Sequence, residues 1–240
     1  MDKEIILNGG QSATSVVQIG NTVHRTQSAN AEFVHAVLLH LEQYKFPYAP
    51  HFLGIDQQER EILSFIEGCV PRDIPLTQKH KMEAIQILRT LHDALANTSL
   101  CGTQETVCHN DFAPWNIIIK DDKVVGIIDF DEVMPGQRID DVAYFIWTSL
   151  DFGNSSSTDQ KLIQNIAELV KVYRLQNREQ LITAFLKQQN RILKFRRQVV
   201  AEERDIAKKE FSKGAIIRIQ RSMEWVQSNQ STIEFTINNS

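Results

Sequence analysis

The feature that most constrains this chain is a pair of polar segments separated by one apolar hairpin. The first is His109-Asn110-Asp111-Phe112-Ala113-Pro114-Trp115-Asn116 and the second is Ile127-Ile128-Asp129-Phe130-Asp131. Pro114 keeps the first segment from continuing as helix, because it lacks an N–H and restricts the residue before it. The runs 116–120 and 124–129 read as two strands joined by Asp121-Asp122-Lys123. A hairpin there returns Asp129 toward Asn116, so three oxygen-bearing side chains converge. Carboxylate and amide oxygens suit a hard cation such as Mg²⁺, which keeps phosphate and water among its ligands. Asn116 and Asp129 are therefore expected to hold metal, and Asp111 to accept a proton from an attacking hydroxyl. Phosphoryl transfer asks for that set: positioning, neutralised phosphate charge, and one carboxylate at the nucleophile.

A protein-kinase catalytic loop runs H-R-D-x-x-x-x-N and is followed by D-F-G. The step from Asp111 to Asn116 is the same, and Asp129-Phe130-Asp131 stands where D-F-G would. Leu91-His92 precedes the loop, and Gly136 through Asp141-Val142-Ala143 follows it, with Gln137-Arg138 where D-P is usual. On these residues the chain resembles the aminoglycoside phosphotransferase/choline kinase-like families. Phe33-Val34-His35, Phe52-Leu53-Gly54 and Leu63-Ser64-Phe65-Ile66-Glu67-Gly68 look like a bacterial branch of trifolitoxin-immunity-type phosphotransferases. The resemblance covers about residues 5–230.

It implies an α+β, bilobal, protein-kinase-like fold. Residues 1–66 would form a small antiparallel-sheet N-lobe with one helix, and 67–240 a larger, mainly helical C-lobe. It implies ATP as cofactor, with GTP the other candidate nucleotide, and Mg²⁺. The activity implied is transfer of the γ-phosphate to a hydroxyl of a small molecule: aminoglycoside-like, sugar or amino alcohol. Asp111, Asn116 and Asp129 would be the catalytic residues. The alternative is a nucleotide-binding immunity or regulatory protein of the same fold that transfers weakly or not at all. His109 is expected to hydrogen-bond the loop backbone and Asp141 to anchor the loop. Asp131 is either a second metal or substrate contact or a solvated carboxylate.

The N-terminal part departs from the kinase pattern. Kinases use a strand lysine on the phosphates and a helix glutamate to orient it. Here the strand reads Asn21-Thr22-Val23-His24-Arg25. Alternation puts Val23 and Arg25 on one face, so Arg25 is the candidate phosphate cation. Its partner is not evident: Glu32 falls near the helix start, and the expected position is Val34 or His35. Gly9-Gly10-Gln11-Ser12 lacks G-x-G-x-x-G, although a Ser12 hydroxyl could reach a phosphate. Backbone groups of Ser64 and Ile66 fit a hinge that reads the adenine edge.

Elsewhere the pattern is mostly helical, over 138–151, 159–173, 177–188, 190–212 and 214–227. Thr77 is positioned to cap a helix with the stripe Ile85, Leu88, Leu91, Leu95, and Ser28 an earlier one with Phe33, Val37, Leu38 and Leu41. The net charge of −4 hides an acidic centre and a basic stretch, with 10 basic and four acidic residues from Arg191 to Arg221. That stretch reads as a solvated helix face or an acidic-partner surface; nucleic acid is disfavoured by the overall charge. With 42% hydrophobic residues and no apolar run of membrane length, a globular protein of the cytoplasm, of one large domain or two small lobes, is expected, without a secretory leader. Cys69, Cys101 and Cys108 form no C-x-x-C pair and are expected as buried free thiols rather than a zinc site. Oligomeric state is not encoded in any of these patterns.

Overall fold

The structure is a computed structural model that describes residues 3–7, 16–71 and 76–239. The Gly9–Ser12 loop read from the sequence, Ser12 included, lies outside the described residues.

Five short strands form an antiparallel sheet in the order β1-β2-β3-β5-β4. They are β1 (Ile5–Ile6), β2 (Val17–Ile19), β3 (Thr22–Thr26), β4 (Phe52–Ile55) and β5 (Arg60–Ser64). The chain turns between β2 and β3 at Gly20, whose φ of 57° suits the residue without a Cβ. The β4–β5 turn is built by Asp56, whose Oδ1 accepts from the N–H groups of Gln58 and Arg60, each at 2.9 Å. Because β3 pairs with β5, Arg25 lies opposite Glu61.

Helix α1 (Ala31–Gln43) connects β3 to β4 and buries Val34, Val37, Leu38 and Leu41. The stripe read from the sequence is rotated by one residue at its start, since Val34 replaces Phe33 in the core. The helix begins after Asn30, not at Ser28. The Asn30 side chain does not cap it; its amide donates to the Val133 carbonyl at 2.9 Å. Beyond β5 the chain runs against a later strand. A Cβ on Gly68 would meet Ile118 Cγ2 at 2.5 Å, and φ there is +150°, so glycine is required on both counts.

Helix α2 (Gln78–Leu95) starts at Thr77, whose Oγ1 accepts the His80 N–H at 3.2 Å. Its stripe of Ile85, Leu88, Leu91 and Leu95 is fully buried. Four more strands follow: β6 (Thr106–Cys108), β7 (Ile117–Lys120), β8 (Lys123–Ile127) and β9 (Met134–Gly136). β7 and β8 form the expected hairpin, with Asp121 and Asp122 both left-handed (φ 49° and 57°) as a two-residue turn demands. The β6–β9 pair has no counterpart in the sequence reading. Each strand has three residues, and Pro135-Gly136 reads locally as a turn.

The remainder is helical: α3 (Arg138–Leu150), α4 (Asp159–Tyr173), α5 (Leu181–Glu202) and α6 (Ile206–Asn238). The breaks expected near 189 and 213 are absent. One helix spans the first, and the second falls inside α6, where Gly214 is tolerated at a cost of about 1 kcal/mol. The real break is set by Asp205, whose Oδ1 accepts from the N–H groups of Ala207 at 2.8 Å and Lys208 at 3.2 Å. The fold is thus a small antiparallel sheet with one helix, followed by a mostly helical remainder.

Two compact units divide the chain. The first comprises the described part of Met1–Ile74 with Arg89–Gln137, and the second Pro75–Leu88 with Arg138–Ser240. Within the second, the rings of Phe185 and Trp225 pack on Phe152 at 5.2 and 4.8 Å. Cys101 and Cys108 are buried free thiols, but Cys69 is exposed, because its strand-like segment lies along the edge of Ile119. Among the described residues no helix is long and apolar enough to cross a membrane.

Candidate active site

The polar segments of the sequence occupy two loops held at both ends. The first, 109–116, leaves β6 and enters β7; the second, 128–133, leaves β8 and enters β9. Cys108 pairs with Met134 at one end and Ile117 with Ile127 at the other. Two ladders therefore fix two irregular loops side by side, which is how loops acquire the rigidity a reactive site needs.

Within this frame Asp111 is half-buried and tied to its own loop. The Asn116 amide donates to Asp111 Oδ2 at 2.7 Å and to its backbone carbonyl at 2.9 Å. The Trp115 indole N–H reaches the same Oδ2 at 3.3 Å. The carboxylate's rotation is thereby set by two donors, and Pro114 opens the single 3₁₀ turn that supplies both. Asn116 is also joined to the second loop, its carbonyl accepting the Ile128 N–H at 3.0 Å.

His109 is buried between the loops. Its Nδ1 accepts the Asp111 N–H at 3.3 Å, which leaves the proton on Nε2 to donate to the Ile128 carbonyl at 3.2 Å. Phe112 and Phe130 pack on its ring at 5.9 and 4.8 Å. Asn110, left-handed at φ 62°, donates its amide to the Glu132 carbonyl at 2.9 Å and adds another tie. Asp129 is also left-handed, at φ 66°, which turns the chain sharply and leaves its carboxylate 46% exposed. Asp141 is buried in the first turn of α3.

Arg25 reaches the second of these loops. Its terminal nitrogens lie 2.5 Å from Asp131 Oδ1 and 3.3 Å from Oδ2, a forked contact, and 3.5 Å from Asp129 Oδ1. Its Nε lies 2.6 Å from Glu61 Oε1. Glu61 in turn meets His35 Nε2 through Oε2 at 2.9 Å. Burial works to lower the Arg25 pKa, but the charges of Asp131, Glu61 and Asp129 outweigh it and raise it. Asp131 is shifted up: burial and the Asp129 charge together exceed the pull of Arg25. Asp131 is consequently a paired carboxylate rather than a solvated one.

One guanidinium faces three carboxylates, so the cluster carries surplus negative charge around hard oxygen donors. That donor set fits a divalent cation of the Mg²⁺ type, with Asn116 and Asp129 the residues suited to it. At the expected hinge, the Ser64 N–H is committed to the His51 carbonyl at 2.9 Å and is not available as an adenine donor. Ile66 packs its side chain against Gly126, where an added Cβ would approach to 2.7 Å.

Glu61, His35, Trp115 and Asn110 were missed by sequence reasoning. Trp115 and Asn110 lie inside the motif and could have been noted. Glu61 becomes visible only through the β3–β5 register.

The small antiparallel sheet with one helix, followed by a mostly helical remainder, is a kinase-like fold. The profile of the phosphotransferase enzyme family matches residues 9–174, and the chain belongs to that family. It is 32% identical over 163 residues to the trifolitoxin immunity protein of Rhizobium leguminosarum bv. trifolii, covering 61% of this chain and 62% of that relative's own length. Its structure is similar to a choline/ethanolamine kinase family protein of Mesorhizobium loti, with a TM-score of 0.65, 12% identity and 98% and 93% of the two chains covered. It is also similar to the gentamicin complex of APH(2")-IIa, with a TM-score of 0.57, 16% identity and 92% and 93% covered. At these identities the structural likenesses establish the fold.

Proposed function

We propose that the protein is an ATP-dependent phosphotransferase that moves the γ-phosphate to a hydroxyl of a small molecule, acting in the cytoplasm. The observation that carries this reading is the junction of Arg25 with Asp129 at 3.5 Å, beside a loop in which Asn116 orients Asp111. In this reading Arg25 is the phosphate cation, Asp129 the metal-type carboxylate and Asp111 the braced base of the adjoining loop.

In this reading residues 1–66 cover the nucleotide and 67–240 carry the catalytic loop and acceptor-binding helices. Asp111 accepts the acceptor's hydroxyl proton as the new O–P bond forms and the bond between the γ-phosphorus and the β–γ bridging oxygen breaks. ADP leaves with the bridging oxygen, so charge and atoms balance. Asn116 and Trp115 hold Asp111 in the rotation this needs. Arg25 binds the phosphates, and His109 keeps the two loops in register. Mg²⁺ held by Asn116 and Asp129 would neutralise phosphate charge. The Arg25-for-lysine exchange and the likeness to an immunity protein favour one second reading, nucleotide binding without transfer.

The test is ADP release with Mg²⁺ and ATP across aminoglycosides, sugars and amino alcohols. At least one acceptor should stimulate release, and Asp111→Asn should lower that rate about 10²–10⁴-fold while ATP affinity is retained. Nucleotide binding with no acceptor-stimulated release would favour the second reading.

A further inference from the structure

We propose that Glu61 is the positioning residue for Arg25 and that His35 holds Glu61 in turn, so that the orienting carboxylate comes from strand β5 and not from helix α1. The inference rests on the phosphate role given to Arg25 and deepens it.

Glu61 is 1% exposed. An ionised carboxylate so deeply buried is tolerated only when both oxygens find partners. One makes an ion pair with Arg25 Nε at 2.6 Å without the alignment of a hydrogen bond, and the other is hydrogen-bonded to His35 Nε2 at 2.9 Å. His35 is itself pinned, stacked on Phe52 with ring centres 3.8 Å apart and planes 16° apart. Glu61 takes the Nε edge of the guanidinium, so the two terminal nitrogens face Asp129 and Asp131. That is the end with which an arginine grips phosphate.

The β3–β5 ladder sets the geometry. Arg25 and Glu61 are register partners in one antiparallel pair, so backbone hydrogen bonds fix their separation. A helix-borne glutamate moves with its helix, whereas this one has its backbone held opposite the cation by the sheet. Helix α1 contacts the pair through His35, at the position where the sequence pattern looked for a glutamate. The charge has moved to the strand, and an imidazole occupies the helix position.

The experiment is calorimetric titration of the full chain with ATP in Mg²⁺ and, separately, with adenosine. Glu61→Gln should weaken ATP at least tenfold and leave adenosine within twofold. The Arg25→Ala/Glu61→Gln double variant should bind ATP no more weakly than Arg25→Ala alone, because the second loss acts through the first. His35→Asn should shift ATP affinity in the same direction by a smaller factor. Parallel loss of ATP and adenosine, or losses that add in the double variant, would mean a merely structural carboxylate and overturn the proposal. A readout free of nucleotide is the ¹⁵N resonance of the Arg25 side-chain Nε–H, assigned by its disappearance in Arg25→Lys. It should exchange slowly with solvent in the native protein and faster in His35→Asn, whether or not Glu61→Gln folds. Rapid exchange in the native protein would also overturn the proposal. A native chain that binds no ATP but shows the protected Nε–H would sink the nucleotide reading and leave the Glu61–Arg25 arrangement standing.

Discussion

Arg25 carries a charge that no accessible pH removes, on a planar fork with three nitrogens. Carboxylates lie at all three: Glu61 ion-paired at the Nε edge, Asp129 and Asp131 at the end. An arriving phosphate must compete with two carboxylates, so the contact is a charge-assisted one made by exchange. Removing it with Arg25→Ala should weaken ATP about ten- to hundredfold, consistent with the ~1.5–3 kcal/mol of a charged hydrogen bond. Adenosine affinity should hold, since adenosine has no phosphate for Arg25 to grip. Arg25→Lys should recover part of the loss, because charge survives and the fork does not. Competitive titration with ATP and adenosine checks the three statements together, and unchanged ATP affinity in Arg25→Ala would remove the residue from the phosphate site. At this scale Asp111, Asn116 and Asp129 were legible because one short hairpin joins them. Glu61 was not, because nothing local reports which distant strand β3 will pair with.

The elements show where local pattern suffices and where it fails. The β4–β5 turn is organised by Asp56 through contacts within four residues. Burial works to raise this carboxyl's pKa, but hydrogen bonds from His24, the Arg60 backbone and side chain, and the Gln58 N–H hold it well below the usual carboxylate range. The stability it contributes is therefore fully present above the unfolded-state pKa of about 3.9 and is lost as pH falls through the lower folded value. Asp56→Asn should lower the urea midpoint at pH 7, and the gap to the native chain should narrow steadily below about pH 4. A gap that stays constant from pH 7 to pH 3 would mean that Asp56 acts by shape and not by charge. The β6–β9 pair is the opposite case. Three-residue strands have little intrinsic preference, and Pro135 argues against a strand, so only pairing makes them one. The same holds for the α5–α6 break, where a capping aspartate outweighs a glycine further on.

On the scale of the molecule, the chain divides into two compact units, and the second is stapled by aromatics. Phe152 is completely buried and packs on Phe185 and Trp225, which belong to α5 and α6. Phe152→Ala should cost about 3–5 kcal/mol, the usual penalty for an emptied aromatic site. Urea unfolding followed by Trp147 and Trp225 fluorescence, in a Trp115→Phe background, reads that unit alone. A loss under about 1 kcal/mol would show that the helices close over the cavity. The amino-acid sequence by itself determined the α2 stripe and the hairpin, which depend on periodicity or on residues within a few turns of chain. Its resemblance to a known family carried the class of fold. Only the tertiary structure decided that β6 and β9 clamp the loops, that Glu61 holds Arg25, and that Asp131 is paired. These depend on which strands meet and in which register, and register is set by burial and backbone hydrogen bonding across the whole sheet.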